Sequence, residues 1–471
     1  MRSAWTAQKT IQAGVQPTEH LELPLTGLCS PSSKLNGEDS IVCTDLQLSP
    51  CTRFIAVCLA EMVRSEGASY PSWGSGGSLT PAEVTVWNVS DFSFQASLDC
   101  GSYSPKIGWH SEGGLLSIAM TPFPGEPHTL APMPAPVVVI DPESSRIVHT
   151  LTLPGGGLAH GPFAADRLVA GGLDTAAWSP SGHVLAVARM HLDANLVQVE
   201  GGMLSILNVW EDKIVAEVAV SGREWAPIAF HPTLDGLVLG CGATIQDAIP
   251  FAKAGILHGS LPRGCGVSRD PGLGFSKDGQ HYISSVFGGV YYDDEDVIPE
   301  DIIYLTDLAI QCSLFKCAED GFGRLHFTLI HHMRTACCSW VPHSFQAVTN
   351  SVTQMSEAWQ YSHVLDLATG LTSTPLGAPQ AGVGVLEPPL TFSQGQRFVC
   401  DASYGPRIFS MESGRLLWCM YEIGDMVDDR TRLLRCCWRT VGWLPSGRGM
   451  ICLTQGSIGV NAVHVVTFAW V

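Results

Sequence analysis

Short apolar segments separated by turn residues recur along the whole chain, with the two-residue alternation that is typical of β-strands. In each copy an apolar strand ends in an aromatic residue or Leu. A turn rich in Ser, Pro and Gly follows, and then a second apolar strand begins. The pattern occurs eight times after about residue 40, with the first strand ending at Leu48, Trp109, Trp178, Phe230, Phe275, Trp340, Phe392 and Trp443.

Most copies continue with a third and a fourth apolar strand, and we name the four strands a, b, c and d. Strand c ends in a short polar residue, whose side-chain oxygen can bond a backbone N–H two residues further on and begin a turn. Helix-period segments are essentially absent. Each copy is therefore predicted to be a four-stranded antiparallel meander, with strand c ending at Asn88, Asp141, Asn208, Asp307, Asp366 or Ser410.

Radial packing of such units forms a β-propeller, which leaves only short and protected strand edges. We therefore predict an all-β fold with a single closed propeller, whose repeat units cover about residues 40–471. Eight four-stranded blades fit the eight copies. Seven blades plus irregular structure remain an alternative, because the fourth copy has no Asp or Asn after its candidate third strand, residues 254–258.

The last copy ends with its strand c, at residues 463–471, and needs a strand d from elsewhere. Residues 19–25, within the segment 18–27, alternate polar and apolar side chains and precede the first copy. We predict that they complete the last blade as its outer strand, where Pro24 is acceptable because an outer strand has one unpaired edge. The propeller would then span 18–471 after an N-terminal extension, 1–17. The alternative is a free N-terminal tail.

These residues resemble the WD-repeat β-propeller superfamily. The run Trp-Ser-Pro-Ser-Gly at 178–182, followed by Leu-Ala-Val at 185–187, is similar to that repeat, as is Val-Trp-Asn at 86–88. The resemblance covers the chain from about residue 40 onwards. This sequence departs from the family in two respects, since its Trp-Asp pair is degenerate everywhere and the Gly-His before strand a is missing. The hydrogen-bond network that those residues support in the family is therefore not assumed here.

The composition allows a large core but disfavours two classes of partner. Hydrophobic residues make up 45% of the chain and charged residues 15%, which is unlike a disordered protein. The acidic net charge of −18 repels nucleic acid and anionic lipid, and no basic stripe offsets it. No apolar run reaches the roughly 18–20 residues of a membrane span. We expect neither nucleic-acid binding nor membrane insertion.

The 16 cysteines favour a reducing compartment. Several lie within predicted strands, and none has the paired spacing of a metal site. Buried, reduced thiols that act as small apolar side chains are typical of a cytoplasmic or nuclear protein. The first 16 residues contain two basic side chains and no acid, so an organelle-targeting segment is the alternative.

The connection between strands b and c is long and irregular in most copies, whereas the a–b and c–d turns are short. All b–c connections of a propeller emerge on one face, and long loops on a rigid scaffold are where binding usually occurs. The alternative is that the loops are tolerated insertions. Our candidate partner-binding residues lie in these loops: Tyr70, Trp73, Phe123, His128, Tyr291, Tyr292, Asp293, Asp294, Glu295, Asp296 and Trp359.

The acidic run at 293–296 has three interpretations. Four consecutive acids beside two tyrosines suit a basic peptide. They also suit calcium, although the alternating spacing of an EF-hand loop is missing. A solvated charged loop without a ligand is the third interpretation.

The sequence contains no GxSxG, HExxH, GxxxxGK[ST] or GxGxxG motif. We therefore expect a non-catalytic scaffold, without cofactor or metal, that binds a protein or peptide through the face with the b–c loops. The alternative is a propeller hydrolase or lactonase, with a metal in the central channel held by inward polar residues such as Asp45 and Asp174. The sequence does not indicate the partner or the oligomeric state.

Overall fold

The structure, a computed structural model, consists almost entirely of β-strands. It describes residues 15–36, 40–63, 78–122, 135–153, 176–192, 199–221, 225–232, 236–241, 257–259, 274–276, 278–287, 310–319, 324–341, 346–351, 362–366, 369, 372–376, 390–401, 406–419, 436–444, 446–456 and 461–470. In these ranges no helix has the length and hydrophobicity that a membrane crossing requires.

The first half of the chain forms regular four-stranded sheets. Strand β1 (Val15–Pro24) precedes a 3-10 helix (Leu25–Leu28). Three antiparallel sheets follow, each with its strands in chain order. They contain β2 (Ile41–Leu48), β3 (Phe54–Val63), β4 (Ser78–Asn88) and β5 (Phe94–Gly101); β6 (Tyr103–Trp109), β7 (Leu116–Pro122), β8 (Ala135–Asp141) and β9 (Arg146–Leu153); and β10 (Ala176–Trp178), β11 (Val184–Leu192), β12 (Val199–Asn208) and β13 (Lys213–Ser221).

The middle of the chain forms one ten-stranded sheet. Its long strand β20 pairs with β19 over its first part and with β21 over its last part, so two antiparallel four-stranded runs share this strand. The strands are β14 (Trp225–Phe230), β15 (Gly236–Cys241), β16 (Leu257–Gly259), β17 (Gly274–Phe275), β18 (His281–Phe287), β19 (Ile310–Glu319), β20 (Arg324–Trp340), β21 (Gln346–Ser351), β22 (Ser362–Asp366) and β23 (Thr372–Leu376).

Two features of this region differ from the predicted meander. Strand β16 pairs in parallel with both β15 and β20, so the fourth copy is not an antiparallel four-stranded unit in the described residues. The strand beside β18 is β19, whereas residues 303–307, which the Asp-ending pattern favoured, lie outside the described residues. Apolar Ile310, Cys312 and Leu314 alternate with polar Gln311 and Ser313, which is the two-residue period of a β-strand.

Two further four-stranded antiparallel sheets complete the described chain. The first has its strands in chain order, and the second has the order β1-β30-β29-β28. An all-β chain with four-stranded antiparallel sheets is thus confirmed, while the blade number stays a prediction. The strands are β24 (Thr391–Phe392), β25 (Phe398–Asp401), β26 (Arg407–Ser410), β27 (Leu416–Cys419), β28 (Cys436–Trp443), β29 (Gly449–Gly456) and β30 (Ala462–Trp470).

The Ser-rich a–b turn has the same hydrogen bonds in several sheets. Ser179 donates its N–H to the carbonyl of Val184 at 2.8 Å and accepts the N–H of Gly182 at 2.9 Å. Its hydroxyl oxygen also accepts the N–H of Val184 at 3.2 Å. The equivalent bonds recur at Ser49, Ser276 and Ser393. The recurring Ser therefore closes each hairpin with its side chain.

The polar residue that ends strand c begins the next turn, as predicted. The side-chain oxygens of Asn88, Asp141 and Asn208 each accept the backbone N–H of the residue two positions later, at 2.8, 2.9 and 3.1 Å. These side chains accept hydrogen bonds from backbone N–H groups that would otherwise have no partner at a tight turn. The c–d turn prediction is confirmed for these three sheets.

Aromatic residues at the end of strand a join neighbouring sheets. The ring of Trp109 stacks on Phe54 of the preceding sheet, with centroids 6.3 Å apart, and its indole N–H donates to the carbonyl of Gln47 at 3.2 Å. The indole N–H of Trp178 donates to the carbonyl of Gly108 at 3.1 Å. Because each indole finds an acceptor, both tryptophans are buried without an unsatisfied donor.

The first sheet also packs against the last one. Its residues Ile41 and Ile55 share an apolar cluster with Ile451 and Val463. The side-chain amide of Asn461 donates to the carbonyl of Ile41 at 3.0 Å. Sheets from the two ends of the chain are therefore direct neighbours.

The N-terminal strand β1 is the outer strand of this last sheet and pairs with β30 over its whole length. It covers Val15–Pro24, whereas the sequence pattern favoured 18–27. The strand ends earlier than predicted, because Leu25 and Leu28 belong to a 3-10 helix, in which both side chains are buried. Strand β1 thus occupies the position of a strand d.

We predict that Gly182→Ala destabilises the protein more than Gly395→Ala. Both glycines have a positive φ, +71° and +79°, so each Ala has a strained backbone. At Gly182 a Cβ would lie 1.9 Å from Nε2 of His110 in the neighbouring sheet, whereas nothing lies within 4 Å at Gly395. Urea denaturation should show an additional loss of about 2 kcal/mol at Gly182.

Equal losses of stability in the two variants would contradict the inter-sheet contact, because Gly182 is the one of the two glycines that faces another sheet.

Candidate functional site

The order of the strands gives every meander two distinct ends. The a–b and c–d turns lie at one end, and the b–c connections lie at the other. The a–b turns of the first three sheets touch. A Cβ added to Gly113 would clash with Cys51 of the first sheet, and a Cβ added to Gly182 would clash with His110 of the second sheet. These sheets therefore have the same orientation, and their b–c connections emerge on one side, which we call the loop face.

The predicted partner-binding residues all lie outside the described residues, so their role stays a prediction. The strands that flank them are described, and these fix where each connection leaves its sheet. Tyr70 and Trp73 lie between β3 and β4, Phe123 and His128 between β7 and β8, Tyr291, Tyr292, Asp293, Asp294, Glu295 and Asp296 between β18 and β19, and Trp359 between β21 and β22.

A buried carboxylate anchors the loop face above the first sheet. Glu83, near the loop end of β4, accepts the hydroxyls of Ser30 and Ser33, both at 2.9 Å, and the N–H of Ser30 at 3.1 Å. Charged side chains are buried only where such donors replace water. Glu83 therefore holds the segment that leads from β1 to β2 across the loop end of the first sheet.

The same segment has exposed ionic contacts. Lys34 donates to Asp99 at 2.6 Å, and this bond lowers the pKa of the Asp99 carboxyl. Burial raises the pKa of the Cys29 thiol to about 11, with the Glu83 carboxylate as the second cause. The Cys29 thiol is accordingly protonated, and its surroundings do not make it a reactive nucleophile.

A buried ion pair fixes the b–c connection of the seventh copy. Asp401 ends β25 and Arg407 begins β26, and their exposed fractions are 0% and 4%. Arg407 donates from Nε to Asp401 Oδ1 at 2.7 Å and also from Nη2 to Oδ2. Its guanidinium lies over the ring of Phe409, 5.6 Å from the centroid. This bidentate pair joins the end of β25 to the start of β26.

The residues suggested for a channel metal have a different role or are not described. Asp45 accepts the N–H of Leu46 at 2.9 Å, the side chain of Gln47 at 3.4 Å and the N–H of Ile107 at 3.5 Å. Its carboxylate thus joins the first two sheets. Asp174 lies outside the described residues. Within the described segments, no cluster of three or more His, Cys, Asp or Glu could hold a metal ion.

Sequence reasoning missed an exposed apolar patch at the edge of the second sheet. Strand β9 has a β-bulge, since Val139 pairs with His149 but the next residue, Ile140, pairs with Ile147. A bulge inserts an extra residue, here Val148, and turns neighbouring side chains towards one side. Ile147 and Val148 are consequently 56% and 40% exposed.

Trp210 of the third sheet extends this patch and is 44% exposed. Its indole N–H donates to the carbonyl of Gly182 at 3.1 Å. Its ring forms a T-shaped contact with the ring of His149, with the two centroids 5.4 Å apart. His149 in turn contacts Asp212 at 3.2 Å. The available sequence signal was Trp210 itself, because it stands in a c–d turn where Ser90 and Glu143 have the equivalent position.

Comparisons with known proteins add little to these observations. No model of a known protein family matches the chain, and no curated protein matches it by sequence. Among solved structures, the chain is similar to one described as the crystal structure of the mitotic checkpoint complex. The identity is 14%, the alignment covers 99% of this chain and 96% of that chain, and the TM-score is 0.40.

We predict that Asp401→Ala strongly destabilises the protein, by about 3–5 kcal/mol, because it leaves the buried Arg407 charge without a partner. Thermal or urea denaturation measures the loss. Asp99→Ala is the matched control, since it removes the carboxylate of an exposed pair with Lys34 and should change stability little.

A loss at Asp401 as small as that at Asp99 would show that the ion pair does not anchor the loop.

Proposed function

We propose that the protein is a closed, eight-bladed, WD-repeat-like propeller that binds a protein or peptide through its loop face and catalyses no reaction. The observation that carries this proposal is the packing between the sheets at the two ends of the chain. A ring gives every sheet two neighbours, and only in a ring is the first sheet also next to the last.

The contacts between successive sheets support a ring. Apolar clusters join the first sheet to the second, the second to the third, the sixth copy to the seventh, the seventh to the last sheet and the last sheet to the first. In the middle of the chain, His231 meets Phe275 of the next copy with ring centroids 5.0 Å apart. Copies five and six share strand β20.

The rigidity of the loop ends supports binding at the loop face. Glu83 and the Asp401–Arg407 pair are polar groups buried where loops begin, and each is held by several hydrogen bonds. Buried and fully bonded polar groups specify one conformation of the backbone around them. A rigid base lowers the entropy that a loop loses when a partner binds.

The charge of the chain supports a basic partner. Its net charge is −18, and the acidic run at 293–296 belongs to a b–c connection. Attraction between opposite charges raises association rates and selects partners. The proposed ligand is therefore a protein or peptide with Lys or Arg side chains.

The buried thiols support a cytoplasmic or nuclear location. Cys58, Cys400 and Cys452 are fully buried, and burial raises the pKa of each thiol. Thiols of this kind remain protonated and act as small apolar side chains. Such packing fits a reducing compartment.

The test compares two variants that remove the same number of negative charges. One is D293N/D294N/E295Q/D296N, on the loop face. The control, E112Q/E143Q/E211Q/E412Q, changes four exposed acids at the turn ends of the sheets. Binding of a fluorescent Lys/Arg-rich peptide is measured by anisotropy at low and at physiological salt. We expect the loop-face variant to lose about tenfold in affinity and most of its salt dependence.

The control variant should bind like the wild type. If both variants lose affinity equally, the attraction comes from net charge alone and the loop face is not the binding site. If neither loses affinity, the acidic run does not contact the basic peptide.

A further inference from the structure

Two histidines meet where the N-terminal strand joins the last sheet. Nε2 of His20 on β1 lies 3.0 Å from Nδ1 of His464 on β30. The two rings stack, with centroids 5.3 Å apart and an interplanar angle of 17°. On its other side, Nε2 of His464 lies 2.9 Å from the hydroxyl of Thr454 on β29. A single chain of polar contacts thus crosses three strands.

The contacts determine which atoms carry a hydrogen in this series of polar groups. The hydroxyl of Thr454 donates to the carbonyl of Ala462 at 3.2 Å, so its oxygen accepts the hydrogen bond from the Nε2–H of His464. Nδ1 of a neutral His464 then accepts the N–H of His20. If both rings carry a positive charge, both facing nitrogens carry a hydrogen, and their hydrogen bond is lost.

The surroundings disfavour a charge on either ring. His464 is buried, beside an apolar cluster that contains Trp418, Val466 and Phe468. Burial, and next the nearby His20, lower the pKa of His464 to about 4. Burial also lowers the pKa of His20, against the opposite effect of the Glu22 carboxylate.

Titratable side chains also belong to the strands packed around the pair, and the acidic ones of β1 are Glu19 and Glu22. Glu22 on β1 is opposite His464 in the strand register. Cys452 on β29 is also opposite His464, and Cys400 of β25 lies in the adjoining cluster. Burial raises the pKa of both thiols, so they stay neutral across the acidic range. The Glu22 carboxylate favours protonation of His20, because it raises the pKa of that ring.

We propose that His20 and His464 form a proton-sensitive clasp, which holds strand β1 on β30 at neutral pH and releases it on acidification. The clasp acts on the strand that joins the two ends of the chain into one sheet. Release of β1 exposes its side of β30 and brings both histidines into water. Each of the two histidines then takes up a proton that it does not bind in the closed state.

The sign of the pH effect follows from this proton uptake. An exposed histidine has its ordinary pKa of 6.5, whereas His464 in the closed state has a pKa of about 4. Because the closed form binds fewer protons, its advantage is complete above 6.5 and is lost as the pH falls towards 4. For His464 alone, the opening equilibrium should rise about 30-fold between about pH 7.5 and about pH 5.

Hydrogen exchange of the full-length protein tests the clasp. Mass spectrometry follows peptides that cover Val15–Pro24 and Ala462–Trp470, with rates corrected for the intrinsic effect of pH. In the wild type we expect protection of these peptides to fall at least about 30-fold between about pH 7.5 and about pH 5, because His20 adds to the effect of His464. Peptides of β6 and β7, which are remote from the pair, should keep their protection over the same range.

The variant His464→Gln keeps an amide that can donate and accept but cannot take up a proton. It should remove the contribution of His464 and leave Val15–Pro24 with the shallower pH dependence that His20 alone causes. The matched control is His363→Gln on β22, whose histidine also has a pKa lowered by burial but lies in another sheet. The control should keep the wild-type profile.

Three results would overturn the clasp. The first is wild-type protection of Val15–Pro24 that stays constant with pH, and the second is a His464→Gln profile as steep as that of the wild type. The third result is measured on the wild type, so it tests the clasp even if His464→Gln does not fold. Loss of protection in β6 and β7 at the same pH as in β1 would show general acid unfolding and no local release.

Discussion

Burial of both faces of each sheet is the constraint on which the rest of this structure depends. Along β3 the side chains of Phe54, Ala56 and Cys58 pack towards the second sheet. Those of Ile55, Val57 and Leu59 alternate with them and pack towards the last sheet. A strand that is apolar on both faces needs a neighbour on each side. The proposed ring meets this need for every sheet, whereas an open row would leave one apolar face exposed at each end.

The fold could be predicted from the sequence wherever local chemistry determines it. Ser179 and its equivalents close the a–b hairpins, and Asn88, Asp141 and Asn208 begin the c–d turns, so these residues report their own conformation. The aromatic residue that ends strand a recurs at one position of each copy, so the sequence also indicates where neighbouring sheets pack against each other. Local rules of this kind need no knowledge of distant parts of the chain.

The remaining features depend on contacts between distant residues. The parallel pairing of β16 joins segments whose composition does not distinguish parallel from antiparallel neighbours. The patch around Trp210 depends on a bulge in another sheet, and the pair of His20 with His464 joins residues from opposite ends of the chain. The predicted candidate site consists of loop residues outside the described part of the chain. For those residues the sequence provides the position of each loop between its strands and the acidic character of one loop.

The proposed ring is tested most directly by removing residues 1–24 and following hydrogen exchange across the whole chain. The account predicts that protection falls in β28–β30, which lose their outer strand, and also in β2 and β3, because their apolar faces pack against β29 and β30. The loss should spread from this junction to both neighbouring sheets. Unchanged protection of β2 and β3 in the truncated protein would contradict the account, because the first and last sheets would then not support each other.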